Sequence, residues 1–311
     1  MNPFSTGYPA TLRSRFVFTA VTLGVAVGLL SWGAFVTSIN AGMAVPDWPT
    51  SFNSYDPFNP WPGWWKITPV LAEHGHRLLG AVLGLLTVVL AFWTWRSESR
   101  RWMTRLGWFA LVLVILQGLL GGLRVVWVSL DLAVVHALTA QIFFALLASM
   151  MVFTSRAWRT PPPLALRGTE GPLMRLRWIV PLVVYIQIFL GALLRHPGAG
   201  IDTLLVALHL TWAFVATVLV YVWFARIRSA LPVGHAARRS AGWMAGVLSF
   251  QVALGLFAYF VLLDEHGLVQ PSNVQVIANT AHMVTGALLF ALTVVTSVFV
   301  SRTLFQLNHR I

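Results

Sequence analysis

The 311-residue chain has no cysteine. Disulfides, iron–sulfur ligation and thiolate catalysis are therefore excluded. Charge is nearly as scarce: Lys, Arg, Asp and Glu make up 10% of residues, and only nine are acidic. An ordinary globular domain carries about 25%. A soluble fold of this size could not cover its surface with so few charges, which argues against a soluble enzyme, a DNA-binding protein or a disordered chain. What is abundant is apolar. These residues make up 58%, and the 24 glycines bring the share to about two-thirds. That is the composition of an integral membrane protein.

A helix needs about 20 apolar residues to cross the hydrocarbon core. Eight such runs occur, at 16–39, 70–95, 104–127, 131–155, 176–195, 202–225, 241–263 and 274–301. The predicted fold class is all-α integral membrane, with eight transmembrane helices as two pseudo-symmetric four-helix bundles. The first run follows Arg13 and Arg15 as a signal peptide would, but it is longer than a cleaved apolar region of about 7–15 residues and is kept as a span. The N-terminus also lacks the Arg- and Ser-rich amphipathic pattern of an organellar transit peptide. Of the 21 basic residues, 17 fall on one side of these spans, leaving Lys66, Arg77, Arg124 and Arg195 on the other. Positive-inside logic places both termini in the cytoplasm. The net charge of +12 is then a topology signal, and no nucleic-acid partner is expected.

The longest outer connection, 40–69, carries Trp48, Trp61, Trp64 and Trp65 among Pro46, Pro49, Pro57, Pro60 and Pro62. It reads either as an interfacial aromatic belt or as a lid over a site at the outer surface. The stretch around Pro161, Pro162 and Pro163 reads as a linker between two halves.

Ionisable residues inside spans are costly and ask for partners. His76, His136, His209 and His282 sit in the second, fourth, sixth and eighth runs. At 1.5 Å per residue all four lie roughly 9–13 Å below the outer boundary. Each is followed four residues later by a small residue: Gly80, Ala140, Ala213 and Gly286. The odd runs repeat as well, with Gln117-x3-Gly121, Gln187-x3-Gly191 and Gln251-x3-Gly255. The chain reads as a duplicated four-helix unit: an N-terminal unit at 1–160, a cytoplasmic linker at 161–175 and a C-terminal unit at 176–311.

One intramembrane histidine is commonly an interhelical hydrogen-bonding residue; four at matched depth are harder to read that way. Zinc draws three or four protein ligands, whereas each unit offers two imidazoles. Two axial histidines on facing helices are what a six-coordinate haem needs, so one bis-histidine haem site per half is the best reading. The halves differ at the position three residues before each histidine, which holds Glu73, Ala133, Val206 and Asn279. Only the first is a carboxylate, one turn from His76. Glu73 reads either as a partner of Arg77 or as a general base or charge stabiliser. Arg77 reads as that partner or as a ligand of a haem propionate. His74 points off the His76 face. His196, His235, His266 and His309 lie at span ends or in loops, where solvated histidine is the default.

The run Glu73-His74-Gly75-His76-Arg77-Leu78-Leu79-Gly80 follows a first span ending Gly33-x-x-Val36-Thr37 and a loop with Pro46-Asp47-Trp48-Pro49. With the four histidines and the duplicated halves, it resembles the haem A synthase family over the whole chain. The resemblance implies oxidation of the C8 methyl of haem O to a formyl group by two successive hydroxylations. It implies that His209 and His282 hold a haem b cofactor, and that His76 and His136 ligate the haem O substrate or haem A product. Glu73 would be the catalytic carboxylate and Arg77 a cofactor-binding residue. It further implies a bacterial plasma (inner) membrane enzyme with its haem sites towards the extracytoplasmic face, an electron donor or acceptor, and contact with haem O synthase.

Two features depart from the family. Some members carry a cysteine pair in outer loops, and thiol-based redox control cannot operate in this chain. Many carry a basic residue where this chain has Val36, which leaves open how the propionates and farnesyl tail are anchored. Two rivals share the four histidines: a two-haem membrane electron carrier and a haem transporter or chaperone. Glu73 separates them, because neither needs a carboxylate one turn from a haem ligand.

Overall fold

The computed structural model describes residues 10–60, 63–159, 170–195, 202–264 and 271–308. Trp61, Pro62, Pro161, Pro162, Pro163, His196, His266 and His309 lie outside the described residues. Eight long helices are present: α1 (Ala10–Ser38), α2 (Thr68–Ser97), α3 (Arg101–Val126), α4 (Leu130–Thr154), α5 (Glu170–Arg195), α6 (Thr203–Ala230), α7 (Ala236–Asp264) and α8 (Asn273–Asn308). All eight contain a segment long and apolar enough to cross a bilayer. Among the described residues the only β-type pairing is an isolated bridge between Ser51 and Ser54. The all-helical expectation and the eight spans hold. α1 and α8 run past the apolar runs at 16–39 and 274–301, because arginine stems continue a helix while their charged ends reach out of the apolar layer.

The helix ends follow local chemistry. Pro69 stands in the first turn of α2, where a missing N–H costs nothing. Ser129 caps α4 by accepting from the Leu132 amide at 3.2 Å. Asp202 caps α6, accepting from Leu204 and Leu205 at 2.9 and 3.1 Å. Pro181 lies inside α5 and cannot donate to the Arg177 carbonyl. Ser297 of α8 fills that gap, its hydroxyl donating to the same oxygen at 2.6 Å. His235, expected to be solvated, is buried instead. Its Nδ1 accepts from the Ala237 amide at 3.1 Å at the start of α7, and its Nε2 lies 3.3 Å from the Thr303 hydroxyl.

Successive helices pack as neighbours, with α4 returning to α1 and α8 returning to α5. α8 also packs against α1 and α4, so α4 and α8 are the most enclosed helices. One apolar cluster gathers Val220, Trp223, Ile227 and Met244, and a second gathers Met103, Leu147 and Met150. Outward faces stay apolar, as at Leu85 of α2 and Phe260 of α7, which suits a lipid solvent. At the end of the bundle away from the histidines, Glu98 binds Arg15 at 3.0 Å and Arg100 at 2.8 Å.

Candidate functional site

Each of the four intramembrane histidines lies against a glycine of the preceding helix. A β-carbon at Gly33 (α1) would stand 2.9 Å from Cε1 of His76 (α2), and one at Gly121 (α3) 3.2 Å from that of His136 (α4). The same holds for Gly191 (α5) with His209 (α6) at 3.1 Å and Gly255 (α7) with His282 (α8) at 2.8 Å. Any larger residue would push the ring away, so these glycines serve close approach rather than backbone freedom.

The glutamines one turn earlier address the same rings. Gln187 Nε2 lies 3.2 Å from His209 Nδ1 and 3.1 Å from its Nε2. Gln251 Nε2 lies 3.4 Å from His282 Nε2. In the amide orientation that satisfies both of its ends, Gln117 donates to His136 Nδ1 at 3.2 Å. α1 has Leu29 at this register, and Nδ1 of His76 is buried without a partner. At two of the small residues four positions after the histidines a glutamine lies close: a β-carbon at Gly286 would lie 3.1 Å from Gln251 Nε2, and the Ala140 amide donates to Gln117 at 3.1 Å.

His209 and His282 face each other with ring centres 6.5 Å apart and planes inclined by 71°. Two imidazoles on opposite sides of one metal, each bonded at about 2 Å, place their ring centres roughly 6–7 Å apart. Nδ1 of His282 is buried and unpartnered. This pair fits axial ligation of a haem iron. Among the described residues, no cluster of three or more His, Asp and Glu forms a metal cage.

Glu73 and Arg77 are joined at 2.9 Å, the i,i+4 pairing read from the sequence. Both also hold the loop at 40–60. Glu73 Oε2 accepts from the Val45 amide at 2.9 Å. Arg77 donates to the carbonyls of Asp47, Thr50 and Val45 at 2.7, 3.2 and 2.9 Å. With Glu73, these acceptors occupy all four terminal N–H groups of Arg77, so the geometry favours the Glu73 partner over a propionate ligand. His74, read from sequence without a role, is buried and its Nε2 lies 2.8 Å from the Pro57 carbonyl. Its ring meets Trp64 edge-on, with centres 4.8 Å apart.

Arg124 of α3 donates to the Gly42 carbonyl at 2.9 Å. Trp48 lies so close to α3 that a β-carbon at Gly122 would fall 2.1 Å from its indole. Phe52 and Asn53 adopt left-handed conformations, with φ of 53° and 60°. Their amides bind Asp47 at 2.7 and 2.8 Å, and the Thr50 hydroxyl binds it too. Burial alone would raise the Asp47 carboxyl; the bonds from Thr50, Asn53 and Phe52 outweigh it and hold the group below its ordinary value. The loop therefore lies over α2 and α3 as a fastened cover. Trp65, 40% exposed, suits an interfacial belt.

This architecture defines a multi-pass membrane protein with four histidines on its spanning helices and a loop latched over α2 and α3. Residues 66–207 match the family model COX15-CtaA, described as cytochrome oxidase assembly protein. The heme A synthase of Symbiobacterium thermophilum is 30% identical over 266 residues, covering 76% of this chain and 83% of that protein. The heme A synthase of Geobacillus kaustophilus is 30% identical over 196 residues, 61% of this chain and 58% of its own length. That of Lysinibacillus sphaericus is 32% identical over 197 residues, 60% and 59% respectively. Against these last two, the match spans under two-thirds of the relative's length. The chain belongs to the haem A synthase family.

Proposed function

We propose that this protein oxidises the C8 methyl of haem O to a formyl group, with substrate between His76 and His136 and a haem b cofactor between His209 and His282. Each hydroxylation adds one oxygen atom and takes two electrons from the methyl carbon, consuming either O2, as oxygen source and oxidant, or water together with an external electron acceptor; the first gives an alcohol, and the second a geminal diol that loses water to the aldehyde. Haem b, when bound, supplies one-electron transfer. The observation that carries the assignment is the asymmetry at Glu73, a buried carboxylate one turn from one histidine of one pair, where the other three positions are Ala133, Val206 and Asn279. With Arg77 and Val45 on its two oxygens, Glu73 is a fixed negative charge suited to stabilising positive charge that develops on the substrate methyl. Each oxygen keeps a free lone pair, so proton acceptance is also open to it. The setting proposed is a bacterial plasma membrane with the latched loop extracytoplasmic. Direct transfer from haem O synthase suits a poorly soluble farnesylated haem.

The test is haem extraction with mass identification from protein purified from a host that makes haem O. Haem b together with haem O, its hydroxylated intermediate or haem A supports the proposal. The Glu73→Ala variant should keep both haems and lose methyl oxidation. One observation favours a second reading, a two-haem electron carrier: both oxygens of Glu73 are engaged in fastening the loop. Haem b alone in the presence of abundant haem O would decide for it, whereas undiminished oxidation by Glu73→Ala would leave the enzyme standing and remove Glu73 from its chemistry.

A further inference from the structure

Two arginines stand at corresponding places on α3 and α5. Arg124 follows Gly121 by three residues and Arg195 follows Gly191 by four, so each lies one turn beyond the glycine on which a histidine ring rests. In both helices that turn leads towards the end carrying the 40–60 loop. The corresponding residues of α1 and α7 are uncharged: Val36 and Thr37 after Gly33, Ala258 and Tyr259 after Gly255. Each histidine pair therefore has one guanidinium from the helix series that supplies its glycines.

Neither arginine is used up by the bonds it makes. Arg124 donates through Nη2 to the Gly42 carbonyl, and Arg195 through Nη2 to the Ser38 hydroxyl at 2.9 Å, while Nε of Arg195 is buried without a partner. This contrasts with Arg77, whose four terminal donors are all committed. A charged group with spare donors in an apolar span asks for an anion.

A porphyrin held by histidines from two facing helices has its plane along the helix axes, so one edge points at the loop end. That edge is the shorter way to water for two carboxylates. We infer that Arg124 and Arg195 are positioning residues that each pair with a propionate, at the His76–His136 and the His209–His282 site respectively. The inference rests on the haem assignment proposed above, and it answers the question of propionate anchorage left by Val36. A guanidinium matches a carboxylate in a two-bond fork, which lysine does only as a point charge.

The experiment is potentiometric titration and haem quantitation on the purified full-length protein as Arg195→Gln, Arg195→Lys, Ser38→Ala and His282→Ala, with Arg124→Gln for the other site. Removing a positive charge beside a haem disfavours its reduced form. Arg195→Gln should lower the midpoint potential of the C-terminal haem and reduce its retention several-fold. Arg195→Lys should restore most of the potential, and Ser38→Ala should match wild type. Arg124→Gln should reduce retention of the substrate haem alone. An unchanged potential and haem content in Arg195→Gln, or a Ser38→Ala variant that reproduces its defect, would overturn the inference. Should Arg195→Gln fail to fold, infrared difference spectra of wild type on reduction decide: propionate bands that do not titrate across the neutral range are expected, and titrating bands refute the pairing. A His282→Ala variant with undiminished haem would instead overturn the haem assignment itself.

Discussion

The contact between Gly255 and His282 makes a quantitative demand on the bundle. Carbon atoms rest about 3.5–4.0 Å apart, and a β-carbon at position 255 would stand 2.8 Å from Cε1 of the ring. In Gly255→Ala either the ring or α7 must then retreat by about 0.7–1.2 Å. Overpacking of this kind costs about 1–3 kcal/mol. If the ring yields, its centre leaves the 6.5 Å spacing with His209 that suits a shared metal. The cost then falls on ligand binding, as a loss of roughly 5- to 150-fold in haem affinity at about 1.4 kcal/mol per tenfold. If the helix yields, the same energy appears as a lower melting temperature. Gly246 of the same helix has nothing within 4 Å of its hypothetical β-carbon. Gly246→Ala is thus the control, gaining up to about 1 kcal/mol of helix propensity with no clash. Haem-to-protein ratio and thermal unfolding in detergent, measured on both variants, give the answer. A Gly255→Ala protein as stable and as haem-replete as Gly246→Ala would refute the steric reasoning.

Glu98 gives a pH dependence with a defined sign. Burial alone would raise its carboxyl, but the hydrogen bonds and charge of Arg100, with Arg15 behind them, bring it down to about 2 from an ordinary 4.5. A folded value below the unfolded one stabilises above pH 4.5, and that contribution is lost as pH falls towards 2. Acid unfolding of wild type should steepen in that window, and Glu98→Gln should flatten it; equal slopes would sink the assignment. For the loop, Gly122→Ala cannot coexist with the present place of Trp48, so hydrogen exchange across 41–54 should quicken while the helices stay protected. Unchanged exchange there would show that Trp48 does not hold the cover.

Much of this was legible in the sequence because a bilayer imposes simple rules. Apolar runs of fixed length marked all eight helices, and equal depth marked four histidines as a set. The glutamine–glycine repeats were visible too, but a repeat does not say what touches it. Sequence spacing marked Gly80, Ala140, Ala213 and Gly286 one turn after each histidine, but it did not show that the rings rest on glycines of the preceding helices. Adjacency on one helix can be counted along the chain, but contact between helices depends on their relative rotation. His235 was misjudged, and the partner of His74 was not readable, for a related reason: contacts at a span end are decided by a distant loop carbonyl or by a hydroxyl on another helix. The i,i+4 pairing of Glu73 with Arg77 was readable, while the three loop carbonyls gathered by Arg77 lie about thirty residues away and leave no local mark.

The loop is grasped almost entirely by its backbone. Arg77 takes the carbonyls of Val45, Asp47 and Thr50, Arg124 that of Gly42, His74 that of Pro57, and Glu73 the amide of Val45. A main-chain oxygen is the same whatever side chain it carries, so this grip does not depend on the loop's own vocabulary. Residues along the cover are free to diverge while the grip survives, and the selective burden falls on the helices that do the holding. The exceptions are Asp47, whose carboxylate fixes the turn through Thr50, Phe52 and Asn53, and two steric fits: at Gly42 a β-carbon would stand 2.6 Å from the Arg124 guanidinium, and Trp48 must go on fitting the hollow at Gly122. Related chains can therefore alter what this surface shows to a partner without disturbing how the cover sits on α2 and α3.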